Sequence, residues 1–341
     1  MTDMTRREFV KAGAAGAAAL ALAGGQATAA TDMPTRPLGK TGHNVKLFSL
    51  GGQATIEKPD TRDESIAIIN RAIDLGVNYL DTAAAYGRPR IAQGQPQTPA
   101  WERNGWSQTH VGEVMATRRK EVFLASKTDD RTRDGSLRLL EQSLKLLRTD
   151  HLDLWQLHNI MREEQLDQIF GKDGAIEAMQ KARDQKMVRF LGITGHFDPQ
   201  VLMKGLERFD FDTILMALNP ADKHHLPFIT SVLPLANKKG IGVIGMKIPA
   251  RGRIFKPDGI TSIKGPLTYV MSLPVSTVIV GCDNVKQLEE NVEIAKNFTP
   301  MTREEMAKLE TLTSTYVSEA SWFKKDAAGV GRPSHDDQNM D

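Results

Sequence analysis

Cysteine is nearly absent from this chain. Cys282 is the only one among 341 residues, so no disulfide can form within one molecule and stability must come from a packed core. A single thiolate also excludes an iron–sulfur cluster that cysteines would hold. His158 and His196 lack the closely spaced histidine or carboxylate partners typical of metal ligands, and the pair His224 and His225 is typical of a surface loop. The sequence therefore predicts no metal site.

Neither sign of charge is in excess. Lysine and arginine total 44, aspartate and glutamate total 42, and the formal net charge is +2. This balance predicts no nucleic-acid partner and no membrane-surface partner. No linker or low-complexity block divides the middle of the chain either. Length alone suggests about two domains, but a single α/β barrel also reaches this size.

The first 30 residues have the three parts of an export signal. A charged start with Arg6 and Arg7 is followed by a short apolar stretch and then by small residues. The paired arginines indicate the twin-arginine export machinery as a partner. Glycines interrupt the alanine-rich stretch, which favours a cleaved signal over a stable membrane anchor. We therefore expect a periplasmic mature protein, with an ordinary amphipathic helix over 1–30 as the alternative.

Strand-like apolar runs alternate with helical patterns in the rest of the chain. A hairpin with a turn at Gly42 leads into a first strand near 47–50. Seven further strand-like runs are VNYLD, EVFLASK, LDLWQLH, VRFLGITG, DTILMALN, GVIGMK and STVIVG. Helical spacing is found over 63–76, 134–147, 174–185, 198–207, 228–239, 264–272 and 284–296.

Continuous apolar strands that alternate with helices predict a parallel sheet covered on its outer face. Eight such units predict a closed (β/α)8 TIM barrel over 35–315, with the N-terminal β-hairpin as a cap at its bottom. An open doubly wound sheet is the alternative, but no G-x-G-x-x-G turn follows the first strand. The polar segment 324–341 is predicted to be a disordered tail.

The segment 88–110 is predicted to be a long loop. It contains prolines together with Trp101 and Trp106. Two interpretations stay open: a surface decoration, or a lid whose indoles close over a bound substrate.

Four polar side chains follow the ends of neighbouring predicted strands. Asp81 ends the second strand and Tyr86 lies on its loop, whereas Lys127 ends the third strand and His158 ends the fourth. Each alone has an ordinary structural explanation, such as a turn residue for the aspartate. In a barrel, however, all four lie on the rim where active sites form. We therefore expect them to form one catalytic site.

These residues lie in segments that resemble the aldo-keto reductases. LDTAAAYG is similar to the D-x-x-x-x-Y-G signature of that family, VFLASKTDD to its lysine strand and LDLWQLHN to its histidine strand. Two later blocks, within 173–196 and 278–295, resemble it as well, so the resemblance covers roughly 35–315. It implies an NAD(P)-dependent oxidoreductase that reduces an aldehyde, a ketone or a sugar-like carbonyl to an alcohol.

Carbonyl reduction explains these residue types. The reaction needs a hydride at carbon and a proton at oxygen, and a tyrosine with a pKa of about 10 donates its proton poorly at neutral pH. A charged Lys127 favours the phenolate of Tyr86 and lowers that pKa. Asp81 can stabilise the lysine through a charge-assisted hydrogen bond, and His158 can donate to the carbonyl oxygen. By resemblance, the hydride comes from a nicotinamide dinucleotide.

The predicted cofactor residues after the fifth and seventh strands depart from the family pattern. Thr194 and Gly195 stand where many members have a Ser-Asn pair, so a hydroxyl is kept and an amide is lost. Met246 stands where many members have a tyrosine that stacks on the nicotinamide, and Lys247 follows it. A methionine can also pack on a ring, although less rigidly.

After the eighth strand, Gly281 and Asp283 precede a helix whose N-terminal amides can bind phosphate. Gln287 and Asn291 match cofactor positions of the family. An acidic residue near the ribose, such as Asp283, favours NAD. The resemblance to the family favours NADP, because its members typically use that cofactor. We therefore expect a slight preference for NADP(H) over NAD(H).

Two other functions stay open. The protein could be a non-catalytic dinucleotide-binding subunit or sensor, because free NADPH is not expected in the periplasm. It could also be a Schiff-base lyase with Lys127 or Lys247 as nucleophile. The lyase accounts for the lysines but leaves Asp81 and Tyr86 unused.

Overall fold

The computed structural model describes residues 32–91, 95 and 98–324, and all structural statements concern these residues. The predicted export signal over 1–30 lies outside the described residues, as does the predicted tail from residue 325 onward. Met33 and the described residues after it form one structural unit.

Eight parallel strands close into a barrel. They are β3 (Phe48–Gly51), β4 (Tyr79–Asp81), β5 (Phe123–Thr128), β6 (Leu152–Leu157), β7 (Val188–Gly195), β8 (Thr213–Ala217), β9 (Gly242–Met246) and β10 (Thr277–Val280). Neighbouring strands follow one another in chain order, and β10 pairs with β3 to close the ring. The predicted (β/α)8 TIM barrel is confirmed.

The predicted hairpin precedes the barrel. Strands β1 (Thr35–Pro37) and β2 (Asn44–Lys46) pair antiparallel, and Gly42 between them has a φ of 73°. Leu38 and Val45 are fully buried and pack with the side chains that fill the barrel. The hairpin thus covers one end of the barrel core, as the sequence predicts.

Helices cover the outside of the barrel. They are α1 (Arg62–Asp74), α2 (Trp106–Arg118), α3 (Arg133–Leu146), α4 (Glu163–Phe170), α5 (Ala175–Asp184), α6 (Pro199–Arg208), α7 (Val232–Lys238), α8 (Lys264–Ser272), α9 (Val285–Lys296), α10 (Arg303–Thr313) and α11 (Val317–Ala320). Within the described ranges, no helix has the length and apolar character that crossing a membrane requires.

The predicted loop over 88–110 is wrong at its C-terminal end, because α2 begins at Trp106. Its buried face contains Ser107, Gln108 and His110 beside its apolar residues. Such a face lacks the continuous apolar stripe by which helices are recognised. Helices α4, α10 and α11 were also missed, and α10 buries only one residue, Thr313.

Alternation along the strands decides which side chains enter the barrel. On β5, Phe123 and Ala125 pack inside the barrel, whereas Leu124 packs outward against the helices. Because side chains alternate along a strand, Lys127 has the inward orientation of Phe123. The same parity applies to Asp81 at the end of β4, two residues after the inward Tyr79.

Candidate active site

Asp81, Tyr86 and Lys127 meet where β4 and β5 end. The ammonium of Lys127 forms an ion pair with Asp81 and donates to the phenol oxygen of Tyr86 at 3.0 Å. It also donates to the carbonyl oxygen of Thr82 at 3.0 Å. Asp81, Tyr86 and Lys127 are 2%, 6% and 1% exposed. The site therefore contains a buried chain of carboxylate, ammonium and phenol.

His158 lies beside this chain, directly after β6. Its ring meets the ring of Tyr86 edge to face, with 5.5 Å between the centroids. Its backbone N–H donates to the carbonyl oxygen of Thr128 at 2.9 Å, which fixes it to the end of β5. All four predicted catalytic residues, Asp81, Tyr86, Lys127 and His158, are therefore brought together, and they are called the tetrad below.

The turn that carries Tyr86 depends on the glycine after it. Gly87 has a φ of 68°, in the left-handed region that glycine enters most easily. A Cβ there would lie 2.1 Å from the carbonyl oxygen of Glu57. Glycine therefore lets the chain turn sharply against the neighbouring loop while the phenol enters the barrel mouth.

Arg88 and Asp129 form an ion pair that was not predicted from the sequence. Two guanidinium nitrogens of Arg88 donate to the two carboxylate oxygens of Asp129, at 2.7 and 2.8 Å. Desolvation raises the pKa of Asp129, but the hydrogen bonds and charge of Arg88 outweigh it and lower the pKa to about 2. Their positions could have indicated the pair, because Arg88 lies two residues after Tyr86 and Asp129 lies two residues after Lys127.

The carboxylate of Asp81 has a second partner inside the barrel. Burial raises the pKa of Asp81, and the charge of Lys127 and the amide of Gln156 act against this rise. The amide nitrogen of Gln156 lies 3.2 Å from Asp81 Oδ1. Gln156 could not be identified from the sequence, because an amide inside a strand belongs to no motif.

A cavity opens beside the tetrad at the barrel mouth. It is lined by Tyr86, Lys127, His158, Asn159, Thr194, His196, Leu215, Met246 and Lys247. Its volume is about 10 Å³, which is room for about one water molecule. Three of the predicted cofactor residues, Thr194, Met246 and Lys247, thus share one cavity with three members of the tetrad.

The remaining predicted cofactor residues lie around the start of α9, outside the lining of that cavity. Gln287 Oε1 accepts from the backbone N–H of Asp283 at 2.9 Å, and Gln287 Nε2 lies 3.4 Å from the carboxylate oxygen Oδ2 of Asp283. Asn291 is buried, and its amide lies 3.5 Å from the sulfur of Cys282. Burial raises the pKa of that thiol to about 12.

Gly195 has no room for the amide side chain that many family members have at its position. A Cβ there would lie 2.8 Å from the carbonyl oxygen of Ile160 and 3.0 Å from Leu202. The neighbouring Thr194 uses its hydroxyl oxygen to accept from the backbone N–H of Asn159 at 2.8 Å. Packing of this strand end therefore explains why a glycine occupies the position.

The end of the described chain packs against the barrel mouth. The ring of Phe323 meets His196 edge to face at 5.7 Å, and Trp322 Nε1 donates to the carbonyl oxygen of Ala250 at 3.2 Å. The next residue, Lys324, is buried. Lys324, the first residue of the predicted tail, is thus packed, and disorder of the remaining residues stays a prediction.

Lys324 is held by a buried ion pair with Asp222. Its ammonium also donates to the carbonyl oxygens of His225 and Leu226, at 3.1 and 3.0 Å. Three acceptors thus surround a cation that burial would otherwise disfavour. The ion pair anchors the Trp322–Lys324 turn on the loop after β8.

The two tryptophans of the segment 88–110 do not line the cavity. The ring of Trp101 lies 4.9 Å from the guanidinium of Arg138 on α3. Trp106 is the first residue of α2 and is 36% exposed. Closure of either indole over a substrate therefore stays a prediction.

Comparisons with known proteins agree with this architecture. The uncharacterized oxidoreductase YqkF of Bacillus subtilis is 25% identical over 334 residues, which cover 84% of this chain and 99% of the relative. L-galactose dehydrogenase of Arabidopsis thaliana is 25% identical over 329 residues, which cover 86% of this chain and 98% of the relative.

Solved structures show the same fold. The holo form of aldo-keto reductase AKR11C1 from Bacillus halodurans has a TM-score of 0.66 at 24% identity, covering 82% of this chain and 96% of its own. An aldo-keto reductase from Klebsiella pneumoniae in complex with NADPH has a TM-score of 0.66 at 19% identity, covering 82% and 95%. The profile of the Aldo/keto reductase family matches residues 47–266. This match contains the tetrad and strands β3 to β9, and the chain belongs to the Aldo/keto reductase family of oxidoreductases.

Proposed function

We propose that the protein reduces a carbonyl to an alcohol by hydride transfer from a nicotinamide cofactor, with Tyr86 as the proton donor. One observation carries the proposal: the ammonium of Lys127 lies 3.0 Å from the phenol oxygen of Tyr86 while Asp81 neutralises it from the other side. A positive charge so close stabilises the phenolate that remains after proton transfer.

Each residue of the tetrad then has one task. Tyr86 gives its proton to the carbonyl oxygen. Lys127 stabilises the resulting anion, and Asp81 keeps the buried lysine charged, because burial alone favours the neutral amine. His158 lines the same cavity as Tyr86, so its imidazole can donate to the same carbonyl oxygen and orient it.

The residues around the cavity suit a nicotinamide dinucleotide, which supplies the hydride when bound. Met246 offers a polarizable thioether for packing on a flat ring, and Thr194 offers a hydroxyl beside it. Lys247, which lines the cavity, offers a cation for a phosphate, and the N-terminus of α9 offers further donors. We favour NADP(H) over NAD(H), supported by the Klebsiella pneumoniae neighbour, which was solved with NADPH.

The cavity beside the tetrad is small, about 10 Å³, and we propose that the loop after β9 adjusts when a nicotinamide ring binds. Lys247, Ala250 and Arg251 in this loop have φ values of 60°, 47° and 52°. Residues other than glycine are strained in that region.

We propose a small aldehyde, a ketone or a sugar-like carbonyl as the substrate. Names of two relatives support the sugar-like class: L-galactose dehydrogenase of Arabidopsis thaliana and 6-dehydroglucose reductase of Novosphingobium aromaticivorans. The second is 29% identical over 142 residues, which cover 38% of this chain.

A Schiff-base lyase is less well supported, because such an enzyme needs a neutral amine as nucleophile. The ammonium of Lys127 contacts Asp81, Thr82 and Tyr86 at once. An amine held in this way has no free lone pair.

The test combines cofactor binding with the variant Tyr86→Phe. NADPH and NADH are titrated separately into the purified protein while the fluorescence of its four tryptophans is followed. Trp322 is a suitable reporter because its ring lies 5.7 Å from the ammonium of Lys247. We expect the variant to bind the cofactor normally and to lose reduction by about a hundredfold or more. Full turnover in Tyr86→Phe would contradict the assignment of the proton donor.

We also propose that residues 1–30 direct the folded protein to the periplasm through the twin-arginine route. The proposal rests on Arg6 and Arg7 and on the apolar and small residues after them. The enzymatic part of the chain would then be the barrel over 35–315 together with the turn that follows it.

A further inference from the structure

We infer that Gln156 is a positioning residue for the tetrad, which holds Asp81 in the orientation and charge state that Lys127 needs. The inference rests on the proposed function, because the proton of Tyr86 is what this arrangement controls. Gln156 itself is not among the residues that line the cavity beside the tetrad.

The geometry assigns one partner to each oxygen of Asp81. Lys127 forms its ion pair with Oδ2, and the amide nitrogen of Gln156 lies 3.2 Å from Oδ1. Gln156 lies on β6 two residues before His158, so both side chains have the same orientation on the strand. With both oxygens bonded, the carboxylate cannot rotate away from the lysine.

Packing alone does not explain a glutamine at this position. The side chain is fully buried, next to the apolar residues that fill the barrel, such as Leu154 on the same strand. Its oxygen Oε1 has no hydrogen-bond partner among the described residues. An unpaired buried amide oxygen destabilises the folded state. An aliphatic residue of the same size would avoid that cost, so the amide N–H is what the site gains.

The neighbouring strand leaves room for this amide. Gly192 on β7 pairs directly with Gln156. A Cβ at Gly192 would lie 2.9 Å from Cγ of Gln156 and 2.5 Å from the hydroxyl of Thr213. Any larger residue at Gly192 would displace the glutamine.

The amide of Gln156 matters because Asp81 lies among other titratable groups. These groups are Lys127 on β5, Tyr79 on β4 and, around the adjoining cavity, Tyr86, His158, His196 and Lys247. Burial raises the pKa of Asp81, and the charge and hydrogen bond of Lys127 and the hydrogen bonds of Gln156 and Tyr79 oppose this rise. Loss of the bond from Gln156 removes one of these contacts and favours a neutral acid beside a neutral amine. Tyr86 then loses the adjacent positive charge and holds its proton to higher pH.

The test uses Gln156→Met, which keeps the size of the side chain and removes both the donor and the unpaired oxygen. The protein has four tyrosines, so the ionisation of each can be followed by NMR of ring-labelled tyrosine. The signal of Tyr86 is assigned by its absence in Tyr86→Phe. This readout requires neither cofactor nor turnover.

We expect the titration midpoint of Tyr86 to move to higher pH in Gln156→Met, by one unit for each tenfold loss of phenolate stability. Thermal unfolding checks that the variant is still folded at the temperature of the titration. If turnover is measured, kcat at neutral pH should fall while KM changes little, and the pH profile should move with the NMR midpoint.

The matched control is Gln108→Met. Gln108 on α2 is also a fully buried glutamine whose Oε1 has no hydrogen-bond partner among the described residues, and its amide donates to Ser126 and Ser143 at 2.7 and 2.9 Å. It lies outside the barrel core, so its variant should leave the Tyr86 midpoint unchanged. An unchanged midpoint in Gln156→Met, or an equal shift in both variants, would overturn the inference. Absence of any carbonyl reduction by the parent protein would instead count against the proposed function alone.

Discussion

Arg88 and Asp129 tie the turn that carries Tyr86 to the strand that carries Lys127. Their two hydrogen bonds measure 2.7 and 2.8 Å, and Arg88 Nε also lies 3.2 Å from the carbonyl oxygen of Ala84 in the same turn. The separation between phenol and ammonium therefore depends on an ion pair that does not itself line the cavity.

Loss of this ion pair should slow catalysis without removing it. We expect Arg88→Met to lower kcat about tenfold, because a small displacement of the phenol is costly when proton transfer requires hydrogen-bond distance. Cofactor affinity should change little. Steady-state reduction kinetics measure the effect. Arg133→Met, which removes a surface ion pair with Asp173 at the start of α3, is the control, and equal kcat values for both variants would contradict the role of Arg88.

The same ion pair predicts a pH dependence of stability. The pKa of Asp129 is lowered to about 2 in the folded protein and is about 4 in an unfolded chain. Its contribution is therefore fully present above about pH 4 and is lost as the pH falls toward about 2. Since the carboxylate is 31% exposed, we expect on the order of 1 kcal/mol. Urea unfolding of Asp129→Asn and the parent protein should differ at pH 6 and converge near pH 2; a constant difference would contradict this.

The buried ion pair of Asp222 and Lys324 should be costly to break from one side. Lys324→Met leaves a buried carboxylate without its cation, which typically costs about 3–5 kcal/mol. The double variant Asp222→Asn with Lys324→Met should recover part of this, since the asparagine oxygen can still accept from the backbone N–H of Ile229. Urea unfolding measures both.

The control for this pair is Lys223→Met. Lys223 pairs with Glu310, and its side chain is 43% exposed, so its loss should cost less than about 1 kcal/mol. If Lys223→Met and Lys324→Met lose the same stability, the turn at Trp322–Lys324 is not anchored as described.

Export is tested by the paired arginines. We expect Arg6→Lys with Arg7→Lys to leave a longer precursor in the cytoplasm, whereas the parent protein reaches the periplasm in shortened form. Cell fractionation in hosts with and without twin-arginine translocase measures this. Equal distribution of both proteins in both hosts would contradict the predicted signal.

The barrel and the tetrad could be predicted because both follow from local patterns. Apolar runs mark the strands, and Asp81, Lys127 and His158 each stand at the end of such a run. Parallel strands then bring their ends to one rim.

Long-range polar pairs could not be predicted in this way. Asp222 and Lys324 are separated by about a hundred residues, and nothing local marks either as buried. Alternation along β6 predicts that the side chain of Gln156 points into the barrel. It does not predict that this side chain contacts Asp81 on another strand. Helix α2 was hidden for a similar reason, since Gln108 and His110 occupy its buried face.

The most direct test of carbonyl reduction is transfer of deuterium from NADPH that is deuterated at C4 of the nicotinamide. The protein is incubated with this cofactor and a panel of aldehydes, ketones and oxidised sugars, and the alcohols are analysed by mass spectrometry. We predict one deuterium on the carbinol carbon of at least one product, and a rate of transfer about a hundredfold or more lower with Tyr86→Phe, although that variant still binds NADPH. Binding of NADPH without deuterium transfer to any carbonyl class, or equal transfer by Tyr86→Phe, would contradict the account.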